Sequence, residues 1–108
     1  MTSDNMPTVD CLFTLVLPRA LEEELLDLLR QQSDLVPGFS VLHGDGIGSQ
    51  APLTTTMEQV QGRARRVFIQ IAMRSDDVAL LVARLREAMR APQVSYWVVP
   101  LQTFGRLA

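Results

Sequence analysis

A glycine-rich segment followed by a cluster of arginines contains the residues in this sequence best suited to chemistry. Glycines stand at every second position from 44 to 48, and arginines stand at 63, 65 and 66. The backbone of a glycine-rich segment can approach an anion closely, and guanidinium groups bind phosphate or carboxylate through paired donors. A small anionic ligand is therefore expected to contact a set of five residues: Gly44, Gly46, Gly48, Arg63 and Arg65.

Arg66 follows these residues but is interpreted differently. Along a β-strand, alternate side chains point to opposite faces, so Arg66 would point away from Arg63 and Arg65. We interpret Arg66 as a solvated residue at the end of a strand, where a charge also discourages edge pairing.

The standard nucleotide-binding and catalytic motifs do not fit this segment. No Gly-Lys-Ser/Thr sequence follows the glycines, and no helix is predicted directly after them. Val60-Gln61-Gly62 followed by Arg66 resembles part of the acylphosphatase phosphate loop, but here it precedes a strand rather than a helix N-terminus. No Ser-His-Asp set or paired-carboxylate motif is evident. We expect a protein that is not an enzyme, with a small enzyme whose loop covers a cleft as the least favoured alternative.

His43 is the only histidine and the natural starting point for a metal site. Its candidate partners are Asp45 and Glu58, while Cys11 is expected to be a packed thiol on a strand. No spacing among these residues matches a known metal signature, so His43 is interpreted as structural. A site for a divalent metal remains the alternative.

The polar segment between the glycines and the arginines is long for a connection within a compact domain. Such loops are usually functional or disordered. We expect residues 48–61 to form a loop that binds a partner protein, with a set of polar contact residues: Ser49, Gln50, Thr54, Thr55, Thr56, Glu58 and Gln59.

Composition narrows the class of protein. The 108 residues fit a single domain, expected to span residues 9–108 after a flexible N-terminus at 1–8. A net charge of -2 gives no general attraction to nucleic acid. The lone cysteine fits a reducing compartment, the N-terminus lacks the basic start of a signal peptide, and the first apolar run is too short to span a bilayer. We expect a cytoplasmic protein.

Hydrophobic patterning predicts the elements that position the candidate site. Strands are predicted at 9–17, 39–43, 67–73 and 94–99. One helix follows Pro18 with a leucine stripe, and another starts with Ser75 as a capping hydroxyl. The order βαββαβ predicts an α+β, ferredoxin-like fold, with an antiparallel four-stranded sheet and two helices on one face. The first and third strands are expected to be central because they are the most continuously apolar.

The sheet face away from the helices is also expected to be apolar. Its members are Leu12, Val16, Phe68, Trp97 and Val99. A contiguous exposed patch of this kind usually marks an interface. We therefore expect a homo-oligomer whose subunits pack sheet to sheet.

With these elements in place, the chain resembles the PII signalling superfamily, and in particular an uncharacterised PII-like branch often encoded beside heavy-metal efflux pumps. The resemblance covers residues 9–108. The motifs that carry it are Gly38-Phe39-Ser40, Gly44 and Gly46, Glu58-Gln59-Val60 with Gly62, and Tyr96-Trp97-Val98-Val99-Pro100.

The resemblance implies a non-enzymatic regulator that forms a homotrimer with inward-facing sheets. Residues 49–60 would be its T-loop, contacting a target protein such as a membrane transporter, and a small ligand or nucleotide would bind at the subunit cleft. The glycine-rich B-loop that holds ATP phosphates in PII proteins is missing, since Arg90-Ala91-Pro92-Gln93 leads straight into the last strand. The identity of any cofactor is left unknown. The superfamily also includes the CutA-type proteins, which implies the alternative of a CutA-like divalent-metal-binding protein using His43 with Asp45 or Glu58.

Overall fold

The computed structural model describes residues 8–47, Met57 and residues 64–108. Its elements are β1 (Cys11–Pro18), α1 (Glu22–Arg30), β2 (Ser40–Gly46), β3 (Ala64–Met73), α2 (Val78–Ala88) and β4 (Ser95–Pro100). A short 3₁₀ turn precedes each helix, at Arg19–Leu21 and at Ser75–Asp77. No helix within the described ranges is long and apolar enough to cross a membrane.

The four strands form one antiparallel sheet in the order β2-β3-β1-β4. The predicted α+β, ferredoxin-like fold is confirmed, and so is the central position of the first and third strands. β1 and β3 are central because each pairs with a strand at both of its edges, and their runs of β-branched and other apolar residues suit that position. β2 and β4 are the two edges, and almost all of their residues are exposed or half-buried.

The core lies between the sheet and the helices. Alternate residues of the central strands point into it and are almost fully buried: Cys11, Phe13, Leu15 and Leu17 from β1, and Val67, Ile69, Ile71 and Met73 from β3. The predicted helix stripes supply the opposite wall, with Leu25 and Leu29 from α1 and Leu81 and Leu85 from α2. The Cys11 thiol lies 3.4 Å from the carbonyl oxygen of Met73, and burial raises its pKa. Its prediction as a packed thiol is confirmed.

The β2–β3 pairing extends further than the sequence pattern indicated. β2 continues through the first two glycines to Gly46, and β3 begins at Ala64 rather than at residue 67. Gly44 lies opposite Arg66, and Asp45 lies opposite Arg65. Cross-strand hydrogen bonding thus outweighs the low strand propensity of glycine, because of which the predicted strand had ended at residue 43.

The start of the second helical segment differs from its predicted cap. Ser75 does not act as a capping hydroxyl, and the residue at the cap position of the 3₁₀ turn, Arg74, makes no side-chain cap bond. Instead, the Asp10 carboxylate accepts a 2.7 Å bond from the Ser75 backbone N–H and a 2.9 Å bond from its hydroxyl. These two bonds hold the Asp10 pKa below its ordinary value. The residue just before β1 therefore fixes the chain just after β3.

The turn after α1 is tied to α2 by a charged contact. The Arg84 guanidinium donates to both carboxylate oxygens of Asp34, at 3.1 and 2.9 Å, and to the Gln32 side-chain oxygen at 2.9 Å. The bond from Arg84 lowers the pKa of Asp34. Leu35 and Val36 follow in the same turn and are buried, so this contact lies over the edge of the core.

Beyond the row of Gly44, Arg66 and Pro18, the sheet face without helices contains three ordered rows of side chains. The first row runs Leu42, Phe68, Val16 and Ser95, and the third runs Ala72, Leu12 and Val99. Between them lies a row of mixed polarity: Ser40, Gln70, Thr14 and Trp97. We call this surface the open sheet face. Leu42 and Trp97, at its two edges, are each 48% exposed.

Candidate ligand site at the ends of β2 and β3

The candidate site lies where β2 ends and β3 begins. Residues opposite each other in a sheet share a face, so Gly44 and Arg66 lie on the open sheet face, while Asp45 and Arg65 lie on the helix side. The structure therefore brings Gly44, Gly46 and Arg65 to one end of the sheet. It distributes them over both faces rather than around one pocket.

Gly44 has a packing reason to be glycine in addition to any role in binding. A Cβ atom at this position would lie only 3.2 Å from Cε1 of the Phe68 ring. The residue sits within a strand, so its small size matters here rather than an unusual backbone conformation. Phe68 can pack against the backbone of β2 because Gly44 has no side chain.

Arg66 corrects the interpretation made from the sequence. It is only 8% exposed, not a solvated strand end, because β3 is a central strand flanked by Pro18 of β1 and Gly44 of β2. A guanidinium this well buried requires compensating partners. Arg66 indeed has one. The sequence could have indicated the burial of Arg66, because the strand alternation continues from Val67 back to Ala64.

On the helix side of the sheet, the ends of β2 and β3 contain two residues of opposite charge, Arg65 and Asp45. They lie directly opposite each other across β2 and β3, and both are exposed. Opposite charges at such positions stabilise a sheet modestly. Neither residue lacks a partner, so a ligand anion would have to compete with existing interactions for the Arg65 guanidinium.

His43 has a structural partner that the sequence did not suggest. Its Nε2 atom lies 3.0 Å from the Glu22 Oε2 atom at the start of α1, linking the edge strand to that helix. His43 and Asp45 share the helix-side face of β2. However, no group of three or more metal-ligating side chains occurs among residues 8–47, 57 and 64–108. Only proximity in the fold could reveal the Glu22 contact, because the residues are far apart in sequence.

The remaining predicted site residues lie outside the described ranges. For the ligand these are Gly48 and Arg63, and for the metal alternative Glu58. The other loop residues in this position are Ser49, Gln50, Thr54, Thr55, Thr56 and Gln59. Their roles stay predictions.

Comparison with known proteins identifies the family. The family described as "Protein of unknown function (DUF3240)" matches residues 7–108. The chain belongs to the DUF3240 family. Among proteins with curated functions, none matches the sequence.

Two solved structures share the fold of this DUF3240 protein. A DUF3240 family protein from Shewanella baltica OS155 superposes with a TM-score of 0.73 at 18% identity, covering 94% of this chain and 99% of the other. CPII from Thiomonas intermedia K12, described as a nitrogen regulatory PII-like protein bound to ADP, AMP and bicarbonate, has a TM-score of 0.65 at 19% identity. That match covers 93% of this chain and 98% of CPII. The predicted resemblance to the PII-like superfamily is confirmed at the level of the fold.

Proposed function

We propose that this DUF3240 protein is a non-enzymatic regulator of the PII type, which binds a small anionic ligand and passes the signal to a partner protein. The observation that carries the proposal is the convergence of glycines and arginines at the end of β2 and β3, in a fold shared with a PII-like protein bound to nucleotides and bicarbonate.

The ligand would bind at a subunit cleft, close to Gly44, Gly46, Gly48, Arg63 and Arg65. Guanidinium groups and glycine backbone suit phosphate or carboxylate oxygens. Arg66, buried beside Gly44, joins Arg63 and Arg65 in this set as a third arginine. The partner-binding element would be the segment 48–61, which connects these two strands. Ligand contacts at both of its ends would bias its conformation, a common device in signalling proteins.

Calorimetry on the full chain tests the ligand proposal, with ADP, AMP and bicarbonate as the probes. We expect at least one of them to bind. In the double variant Arg63→Gln/Arg65→Gln, affinity should fall by about tenfold or more, because charge-assisted hydrogen bonds are lost. Arg74→Gln is the matched control, since Arg74 is an exposed arginine just after the other end of β3. Binding that is unchanged in the double variant would contradict the assigned site.

The same titration decides between a regulator and a CutA-like metal-binding protein. Zn²⁺ serves as the divalent probe, and His43→Gln is the variant that removes the imidazole ligand. A nucleotide or bicarbonate response without a Zn²⁺ response supports regulation. A Zn²⁺ response lost in His43→Gln would instead favour the metal alternative. Turnover of a bound nucleotide would favour an enzyme.

The regulator would act as a homo-oligomer, which the resemblance to PII implies is a trimer. The open sheet face supports this proposal because it combines two apolar rows with an exposed Trp97 at one edge and an exposed Leu42 at the other. Exposed apolar surface of this extent is typical of a subunit interface. A membrane transporter is the kind of target that the PII-like resemblance suggests for the loop.

A further inference from the structure

A cavity lies on the helix side of the sheet, separate from the proposed ligand site. It has a volume of about 450 Å³, within the range of roughly 300–1,000 Å³ that is usual for small-molecule sites. Its floor is the helix-facing side of β1 and β4, including Phe13 and Tyr96, and its walls come from α1 and the end of α2.

The cavity exists because α2 ends before it covers β4. The helix stops at Ala88, and Met89 adopts an extended conformation. A tight turn follows, in which Val94 N–H donates to the carbonyl oxygen of Ala91 at 3.0 Å. As a result, Tyr96 points toward the helices but remains 43% exposed. Two helices thus leave an uncovered apolar space over the edge strand.

The lining is apolar except at one side. The Phe13 and Tyr96 rings lie 5.4 Å apart, and Leu85 of α2 and Met89 just after it also line the cavity. Such a surface favours aliphatic or aromatic carbon over water. An occupant must therefore bring an apolar body of small-molecule size.

Arg86 and Arg90 are the charged residues that line this cavity. Within the described residues, neither guanidinium has a hydrogen-bond or ion-pair partner, whereas Arg30, Arg74 and Arg84 are each paired with an aspartate. Among the described residues, no acidic side chain lines the cavity. Its charge is thus purely positive and available to an anion.

We propose that this cavity binds an anionic amphiphile, a molecule with a carboxylate or sulfate head and an aliphatic tail. The tail lies against Phe13, Leu85, Met89 and Tyr96, and the head group accepts hydrogen bonds from Arg86 and Arg90. Charge complementarity selects this class over a neutral apolar ligand, and the apolar walls select it over a free inorganic anion.

The site is independent of the proposed nucleotide or bicarbonate site and of the proposed interface. β4 and β2 lie on opposite edges of the sheet, three strand spacings or roughly 14 Å apart. The open sheet face is on the other side of the same strands. Binding in the cavity therefore requires neither the loop at 48–61 nor a second subunit.

Titration of the full chain with decanoate, kept below its micelle-forming concentration, tests the proposal. We expect one decanoate per chain, and nuclear Overhauser effects from its methylenes to the Met89 and Val94 methyl groups. In Arg86→Gln/Arg90→Gln, decanoate affinity should fall by about tenfold or more, while affinity for decan-1-ol changes little. Arg74→Gln is the control and should bind decanoate like the natural sequence. Circular dichroism establishes that the variants are folded.

Three results would overturn the proposal. The first is equal decanoate affinity in the double variant and the control. The second is loss of binding in Trp97→Ser, which would place decanoate on the open sheet face. The third is a change in oligomer mass on adding decanoate, which would mean that a second copy of the chain occupies the cavity. Calorimetry with ADP on Arg86→Gln/Arg90→Gln separates this test from the proposed function, because ADP binding should be unchanged there.

Discussion

Thr14 places a buried hydroxyl group in the middle row of the open sheet face. Its side chain is only 2% exposed, and its Oγ1 atom has no hydrogen-bond partner among the described residues. Gln70 and Trp97 lie directly opposite on the two neighbouring strands. A buried polar atom without a partner costs stability, because it has lost its hydrogen bond to water. A conservative substitution at this position should therefore increase the stability of the protein.

Thr14→Val should raise the free energy of unfolding by about 1 kcal/mol, because it removes the unpaired hydroxyl and keeps the β-branched shape. Urea denaturation at one fixed protein concentration measures the change, since an oligomer gains stability from assembly. Thr103→Val, at an exposed position near the C-terminus, is the control and should change little. A loss of stability in Thr14→Val would instead indicate that another subunit supplies a partner to Oγ1.

Arg66 and His43 show which residue properties could be predicted from the sequence and which could not. The sequence analysis interpreted Arg66 as solvated, which the structure contradicts, and His43 as structural, without identifying its partner. Burial of Arg66 depends on two flanking strands, and the His43 contact depends on Glu22, 21 positions earlier in the chain. Both properties arise from contacts between residues that are distant in sequence, so the local residue pattern does not predict them. The separation of Arg65 and Arg66 onto opposite faces, by contrast, followed directly from strand periodicity.

At the scale of elements, Asp10 joins the start of β1 to the segment that begins α2. Its carboxylate accepts both the backbone N–H and the hydroxyl of Ser75, and these bonds hold its pKa below the ordinary value. A carboxyl group with a depressed native pKa stabilises the fold when it is ionised. This contribution is present above the unfolded pKa of about 3.9 and is lost as the pH falls through the native pKa.

Asp10→Asn should therefore lower the melting temperature by a few degrees at pH 7, because the variant loses the carboxylate charge and one of the two oxygens that accept bonds from Ser75. The difference from the natural sequence should shrink as the pH falls below the unfolded-state pKa of about 3.9 and through the lower native pKa of Asp10. Thermal melts followed by circular dichroism between pH 2.5 and pH 7, roughly spanning this titration, give the measurement.

Asp27→Asn is the matched control for this effect. Asp27 is exposed and its pair with Arg30 lies within a single helical segment, so the variant should change the melting temperature little. A difference between Asp10→Asn and the natural sequence that persists unchanged at the lowest pH would contradict a role for the ionised carboxylate.

The elements themselves were largely predictable, but their ends were not. Alternation along β1 and β3 and the leucine stripe of α1 gave the correct order and the correct buried faces. The end of β2 was misjudged because glycine is a poor strand former, yet Gly44 is held by pairing and by the space that Phe68 requires. The helix cap was misjudged because Ser75 carries a suitable hydroxyl, while its actual partner, Asp10, is distant in sequence.

At the scale of the whole molecule, the sheet divides the protein into two functional sides. The helix side contains the core and the cavity with Arg86 and Arg90. The open sheet face contains the apolar rows proposed as the subunit interface. The ends of β2 and β3, which lie between these sides, contain the candidate ligand site. Under the proposed function, a ligand there would act on both the subunit interface and the loop that joins the two strands, as a regulator of a partner protein requires.

Trp97 is the residue through which the proposed assembly is best tested. It is an exposed aromatic residue on β4, in the open sheet face, and large aromatic side chains dominate interface energetics. Trp97→Lys should weaken self-association by roughly 30-fold or more, because the variant loses the indole contact and places a charge in the interface. Light scattering after size-exclusion chromatography, over a range of micromolar protein concentrations, should show the natural sequence as a trimer and the variant shifted toward the monomer.

Leu80→Lys provides the matched control for this test. Leu80 is 47% exposed, close to the 48% of Trp97, but it lies on the outer surface of α2 on the other side of the sheet. Its variant introduces the same charge on an exposed apolar position and should leave the mass unchanged. Equal dissociation of both variants would mean that an added surface charge weakens assembly wherever it lies. A natural chain that is monomeric at micromolar concentration would contradict the interface itself. A trimer that dissociates only in Trp97→Lys would establish that the open sheet face is covered by other copies of the chain, because only this variant alters that face.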